Sequence, residues 1–263
     1  LGLDAERLAQ VREVIERMVR TNAAEVPAYA YQHDLKKPAC MNAEYADGRQ
    51  EVFTMEQWEA IVQEAEGDTD RARALLSARG VTKIGYRQDA ALTGGEDKNH
   101  GPEGETYIRT LAANDPAIAS FIADKDLILK GVGNHEVHFQ VFPASNSAGL
   151  WREKLASLFT DDELDFILTV NLLDIAGSKG PDGQSDFSGF RNMVEARAAF
   201  REIEAFRAQR EKENRPLREN EYGNLLNLKG LDAVRTKIEQ LAKPPEATAL
   251  TAAQRTLVEE RLP

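Results

Sequence analysis

The sequence of 263 residues predicts an all-α fold, a helical bundle, on three observations. Apolar residues recur at helical rather than alternating spacing in one segment after another. Helix start signals precede those segments, and β-branched runs bounded by turns are almost absent. With 42% apolar and 29% charged residues, the chain has the composition of an ordered protein long enough to bury a full core.

Leu8, Val11, Val14, Ile15, Met18 and Val19 follow Asp4, a suitable N-cap, and predict a helix over residues 4–22. Residues 26–41, with Tyr29, Tyr31 and His33, read as a short helix or an extended approach to the core that ends near Pro38. Residues 54–80 read as an inserted helical hairpin. Thr54 caps a segment with Trp58, Ile61 and Val62, Asp68 or Thr69 opens a second with Leu75 and Leu76, and Gly80 ends it. Residues 83–100 are dense in glycine and charge, which is loop composition.

Three helices are expected over 101–113, 116–131 and 161–177, with Asp115-Pro116 marking one start and the capping box Thr160-Asp-Asp-Glu163 another. A long helix over 187–213 carries Phe187, Phe190, Val194, Ile203 and Phe206 on one face, while the charged run from Arg207 to Arg215 reads as a solvated surface. Weaker helices over 231–242 and 251–261 flank Lys243-Pro-Pro245. The expected organisation is one helical domain over 1–213 and a C-terminal helical extension over 214–263.

A formal charge of −11 argues against broad binding to nucleic acid or an anionic membrane, since both need clustered positive charge. No apolar run approaches the roughly 18 residues of a membrane span, and the N-terminus lacks a basic-then-apolar signal layout. The expectation is therefore a cytoplasmic protein. The single Cys40 excludes an intramolecular disulfide and reads as a free, partly buried thiol.

The chemistry gathers around four histidines. His100 lies in Lys98-Asn-His-Gly-Pro-Glu-Gly104, and His135 and His138 lie in Gly133-Asn-His-Glu-Val-His138. Asp174 follows Val170 by four residues and Ile167 by seven, so it sits on the apolar stripe of its helix. A buried ionised carboxylate needs a partner, because desolvation otherwise costs several kcal/mol or shifts its pKa. One histidine on an apolar face is usually a satisfied core residue. Separate segments that each deliver a histidine or a carboxylate suit a metal instead: Mn, Fe, Zn or Co for a mixed nitrogen and oxygen set, Mg for a more oxygen-rich one.

These segments resemble the HD-domain superfamily of metal-dependent phosphohydrolases, in particular the HD domain of nitrogen-signalling uridylyltransferases. Gln88-Asp89 followed by Thr93-Gly-Gly-Glu-Asp-Lys-Asn-His100 resembles the family's His-Asp doublet and its glycine-rich lead into a helix. The stretch from Leu164 to Asp174 resembles the helix that ends in its last metal-binding aspartate, and Asn134-His135-Glu136 resembles its His-His-Glu segment. The resemblance spans residues 26–205. It implies an HD-like bundle in which His33, Asp89, His100, His135 and Asp174 hold one or two divalent ions, with Asp89 bridging. It also implies Asp89, Glu136 and Lys98 as catalytic residues and Arg87, Lys36 and His138 as contacts to a small phosphorylated substrate. Glutamine stands where the doublet has histidine. A competing registration takes His33-Asp34-Leu-Lys-Lys-Pro38 as the doublet itself, which leaves the first histidine without a counterpart and places His100 66 positions after Asp34. Three functions follow from the resemblance: a phosphohydrolase acting on a nucleotide or other small phosphoester, a degenerate HD domain that binds a nucleotide or protein partner without turnover, or a di-iron oxygenase of HD type.

Overall fold

The computed structural model of the protein describes residues 1–123, 126–178 and 184–243. In chain order its elements are α1 (Ala5–Thr21), α2 (Glu25–Gln32), β1 (Asn42–Tyr45), β2 (Gln50–Val52), α3 (Met55–Glu64), α4 (Thr69–Ala78), β3 (Val81–Gly85), β4 (Arg87–Gln88), α5 (Ala90–Thr93), β5 (Lys98–Asn99), α6 (His100–Asn114), α7 (Pro116–Ala123), α8 (Asp126–Asn134), α9 (Val137–Val141), α10 (Ala148–Trp151), α11 (Asp161–Gly177), α12 (Ser188–Lys212), α13 (Glu219–Asn227) and α14 (Leu231–Ala242). The fold is predominantly α-helical, as the spacing of apolar residues predicts.

Contacts divide the chain into two units, one of residues 2–140 and 159–187, the other chiefly of 141–158 and 188 onward. The boundary expected at 213/214 falls inside the second unit. There Ile203 and Phe206 of α12 share a core with Leu225 and Leu226 of α13, Leu231 and Val234 of α14, and Ala148 of α10. Gly149 permits that packing, because a Cβ on it would lie 3.0 Å from the Leu226 carbonyl oxygen. The helix expected over 251–261 lies outside the described residues.

In the first unit the start signals act as read. Asp4 accepts from the Arg7 N–H at 2.8 Å, Thr54 and Gln57 form a capping box on α3, and Thr160 and Glu163 form one on α11. Each satisfies backbone groups that a helix end leaves unpaired. The main core joins five helices through Met18 of α1, Tyr29 of α2, Ile108 of α6, Ile128, Leu129 and Val132 of α8, and Phe166 and Val170 of α11. At about 1.5–3 kcal/mol for each large apolar side chain removed from water, this cluster holds the helices that carry the histidines.

The expected hairpin of α3 and α4 is present, but it does not stand alone. It packs on a three-stranded antiparallel sheet of order β2-β1-β3, around Met41, Ala43, Phe53, Ile61, Ala65, Leu76 and Val81. The sequence gives no warning of these strands, because β1 reads Asn-Ala-Glu-Tyr and β2 only Gln-Glu-Val, too short for alternation to register. Cross-strand pairing with β3 supplies what local pattern does not, placing Ala43 opposite Ile84 and Glu44 opposite Lys83. Among the described residues no helix is long and apolar enough to cross a membrane.

Candidate metal centre

Each histidine is delivered by the end of a helix. His33 and Asp34 follow α2, His100 opens α6, and His135 lies in the turn between α8 and α9, which carries His138. The Asn99 side chain accepts from the Gly101 N–H at 3.2 Å and so fixes where α6 begins. Gly101 then lets the start of α6 meet the end of α8. A Cβ there would stand 3.0 Å from the Val132 carbonyl oxygen and 3.3 Å from the His135 Cε1.

This close approach sets two buried imidazoles tip to tip, with His100 Nε2 and His135 Nε2 2.9 Å apart. The partners of the other ring nitrogens assign the tautomers. His100 Nδ1 lies 3.3 Å from the Tyr86 carbonyl oxygen and His135 Nδ1 2.7 Å from that of Val132. A carbonyl only accepts, so each Nδ1 carries the proton and each Nε2 presents a lone pair. The third member is Asp34, whose Oδ1 is 3.6 Å from His100 Nε2 and is buried without a hydrogen-bond partner. Ligand atoms of Asp34, His100 and His135 all lie within 4.8 Å of one another.

His33 and Asp174 extend the group. His33 donates from Nδ1 to the Ala30 carbonyl at 3.0 Å, and its Nε2 is 3.3 Å from Asp34 Oδ2 and 3.6 Å from Asp174 Oδ1. Lys37 completes the surroundings with its Nζ 2.8 Å from Asp34 Oδ2.

The electrostatics follow from burial and neighbours. Burial, then the Lys37 charge, lowers the His100 pKa, and burial followed by His100 itself lowers that of His135. Both rings are thus held in the neutral form that binds metals. Burial acts in the same direction on His33, but the nearby carboxylates of Asp174 and Asp34 outweigh it and raise its pKa. Burial would raise the Asp174 pKa, yet His33 and His135 draw it below the usual carboxylate value.

Of the residues expected from sequence, His33, His100, His135 and Asp174 come together. Asp89 does not: it is exposed, caps α5 without a side-chain hydrogen bond, and lies 3.8 Å from Arg87. Gln88 is buried and donates its amide to the Met41 carbonyl at 2.7 Å, a structural tie that needs no imidazole. Asp34, and not Asp89, is the carboxylate that lies with His100 and His135. Lys98 is exposed, and Lys36 rests over the Tyr107 ring at 4.2 Å. Glu136 Oε2 is 3.8 Å from His100 Nδ1 and accepts from Gln140 at 2.8 Å.

One residue at the site escaped the sequence reading, and one of the basic pair Lys36-Lys37 acts in place of the other. Lys37 contacts Asp34 where Lys36 was expected to act, and its signal was the three-residue spacing from Asp34. Asn171 is buried in α11, where its Oδ1 accepts from the His138 backbone N–H at 3.2 Å and from His138 Nδ1 at 2.5 Å. Its own Nδ2 donates to the carbonyls of Asn134 and Ile167. The signal was an amide between Val170 and Leu172 in an otherwise apolar run.

A cleft of about 1100 Å³ opens beside the group. Glu44, Gln50 and Lys83 of the sheet line one part of it, Arg87 and Asp89 another, and Glu136, His138, Phe139 and Asp174 the part nearest the histidines. His138 commits Nδ1 to Asn171 and so keeps a lone pair on Nε2. Compared with protein-family models, with curated proteins and with solved structures, the chain matches none.

Proposed function

We propose that the protein binds a divalent metal ion through Asp34, His100 and His135, with His33 and Asp174 beside it, and hydrolyses a small phosphorylated molecule in the adjoining cleft. One observation carries the reading: the Nε2 atoms of two buried imidazoles, 2.9 Å apart, and an unpartnered carboxylate oxygen converge with ligand atoms within 4.8 Å of one another. Lone pairs at that distance repel unless a cation or a shared proton lies between them, and burial disfavours the proton on both rings. Imidazole with carboxylate suits Mn, Fe, Zn or Co. Backbone carbonyls on both Nδ1 atoms are the kind of outer partner that orients a metal-binding histidine.

The order His33-Asp34, His100, His135, Asp174 also keeps the ligand order of the HD-domain resemblance, with Asp34 rather than Asp89 as the carboxylate of the doublet. What a divalent ion contributes at such a site is Lewis acidity toward water and toward a phosphoryl oxygen. Within this reading the chain's own side chains do the rest. Lys37 holds Asp34 in place, Arg87 and Lys83 offer charge to a phosphate in the cleft, and Glu136 and His138 stand near enough to the group to exchange a proton with water or a leaving oxygen.

The cleft favours one alternative. Its lining carries the carboxylates of Glu44, Asp89, Glu136, Asp174 and Asp186 against the cations Lys83 and Arg87. Bound metal would offset that negative charge for an entering phosphate, and ligand binding without turnover is the second reading. Elemental analysis of the purified protein, followed by Mn- or Mg-supplemented assays on a panel of phosphoesters, separates them. Stoichiometric metal with hydrolysis supports the first reading, and metal with ligand binding but no hydrolysis supports the second. Iron with oxygen uptake overturns both in favour of an oxygenase, and no metal uptake overturns the metal site.

A further inference from the structure

Among the described residues, three buried side-chain nitrogen or oxygen atoms lack a hydrogen-bond partner: Tyr29 Oη, Gln32 Oε1 and Asp34 Oδ1. All three belong to the single stretch that runs from α2 into the His33-Asp34 pair. An unpartnered buried polar group is costly, so three of them in six residues mark a place where the fold anticipates something polar. The Asp34 oxygen is accounted for by the proposed ion. The Tyr29 hydroxyl is not, because a neutral phenol is a weak metal ligand and its O–H proton calls for an acceptor.

Tyr29 is 2% exposed, and its ring belongs to the core with Phe166. It stacks on His33 with ring centroids 5.0 Å apart and meets His135 edge-on at 6.3 Å, so it flanks two members of the group at once. Burial, and then the charges of Asp174, Asp34 and Glu136, push its pKa well above that of an ordinary tyrosine. The carboxylates that act on its oxygen are those around the proposed metal. A phenylalanine would fill the same core volume without leaving a donor unpaired, and tyrosine at this place needs a reason.

We propose that the Tyr29 hydroxyl is a hydrogen-bond donor to an oxyanion held beside Asp34, His100 and His135, and so forms part of the phosphate-binding site. The inference rests on the metal reading above, and it adds a ligand contact that the HD-like pattern of histidines and aspartates does not specify. A hydrogen bond to a charged acceptor contributes about 1.5–3 kcal/mol, which corresponds to a roughly 10- to 100-fold change in affinity.

The test is calorimetric titration of inorganic phosphate into the full chain, with and without saturating Mn, for the wild type and for Tyr29→Phe. Thermal unfolding and a Mn titration are measured on the same samples. The expected result is phosphate binding by the metal-loaded wild type, weakened roughly 10-fold or more in Tyr29→Phe. Metal affinity stays unchanged, and the melting temperature is unchanged or higher because an unpaired buried donor has been removed. Equal phosphate affinity in the two proteins overturns the proposal, as does a wild type that binds no phosphate in either condition. A Tyr29→Phe protein that loses its metal or its fold also overturns it, because the tyrosine would then be structural. If the wild type takes up no Mn, the metal reading fails by itself, and the metal-free phosphate titration still decides the role of Tyr29.

Discussion

The unit built on α12 to α14 and the unit that holds the histidines both place polar side chains at or near their cores, and they treat them in opposite ways. In the first, Glu195 accepts from Asn146 at 2.6 Å, Glu204 from the Tyr222 hydroxyl at 2.7 Å, and Glu202 from Arg235 at 2.7 Å. The Asn192 amide donates to the Phe142 carbonyl, and Arg197 lies over the Trp151 ring at 5.6 Å. Every one of these contacts sets a donor against an acceptor or a cation against a π face, which is how a self-sufficient fold buries polarity. In the second, the Nε2 atoms of His100 and His135 meet each other at 2.9 Å beside an unpartnered Asp34 Oδ1. The difference separates polar residues that finish a fold from polar residues grouped as they would be to hold an ion.

The sharpest way to break the comparison is to remove a member of the second group. Asp34→Ala is expected to weaken Mn or Zn binding by more than about 100-fold in calorimetry, beyond the 10- to 100-fold typical of outer partners. The metal-free variant is expected to fold, and to be no less stable than the metal-free wild type by more than about 1 kcal/mol, since an uncompensated buried oxygen goes with the side chain. Unchanged metal affinity would place the ion elsewhere.

Ile203→Ala tests the other side. This fully buried side chain in the α12 core should cost about 2–5 kcal/mol in denaturant unfolding while metal stoichiometry stays the same. Asn171→Ala removes the acceptor shared by the His138 N–H and Nδ1 and should cost about 1–3 kcal/mol. It should also alter the His138 resonances in NMR spectra, and a silent His138 would contradict the tie.

Acidification gives a smaller and graded effect. Burial depresses the folded pKa of His100, His135 and His138 below the unfolded value near 6.5, so the unfolded chain takes up protons first. Stability of the metal-free protein contributed by these three is full above that value and is lost as pH falls through their folded pKa values. His33, raised by Asp174 and Asp34, acts in the opposite sense and partly offsets the loss. Unfolding curves measured from pH 7.5 downward should show the decline begin near pH 6.5, and a flat profile would mean that the rings are not buried as described. Smallest of all, Asp89→Asn should change stability by less than about 0.5 kcal/mol and leave metal binding intact. A loss of metal there would restore the Gln88-Asp89 registration.

Much of this was legible before the structure. The helices announced by Asp4, Thr54, Asp68 and the Thr160 capping box begin where those side chains said, because a cap is a local interaction. His100, His135 and Asp174 stood out because polar ligands on otherwise apolar or glycine-rich segments are costly without a purpose. The strands at 42–45, 50–52 and 81–85 were hidden, since their pairing is long-range and their side chains are polar or mixed. The choice of doublet was hidden for the same reason. Whether Asp34 or Asp89 stands near His100 depends on how the sheet and the α3–α4 hairpin loop out between them, and no local pattern records that. Gln88 looked like a defective ligand because its backbone acceptor, Met41, is 47 residues away.

The central claim is that a cation belongs between His100 and His135. X-ray absorption on the zinc- or cobalt-loaded full chain, prepared after metal content has been measured without chelators, tests it most directly. The account predicts stoichiometric uptake and a coordination shell with imidazole scattering from two histidines, one of which is lost in His135→Ala. A wild type that takes up no metal, or a shell unchanged in His135→Ala, would contradict it.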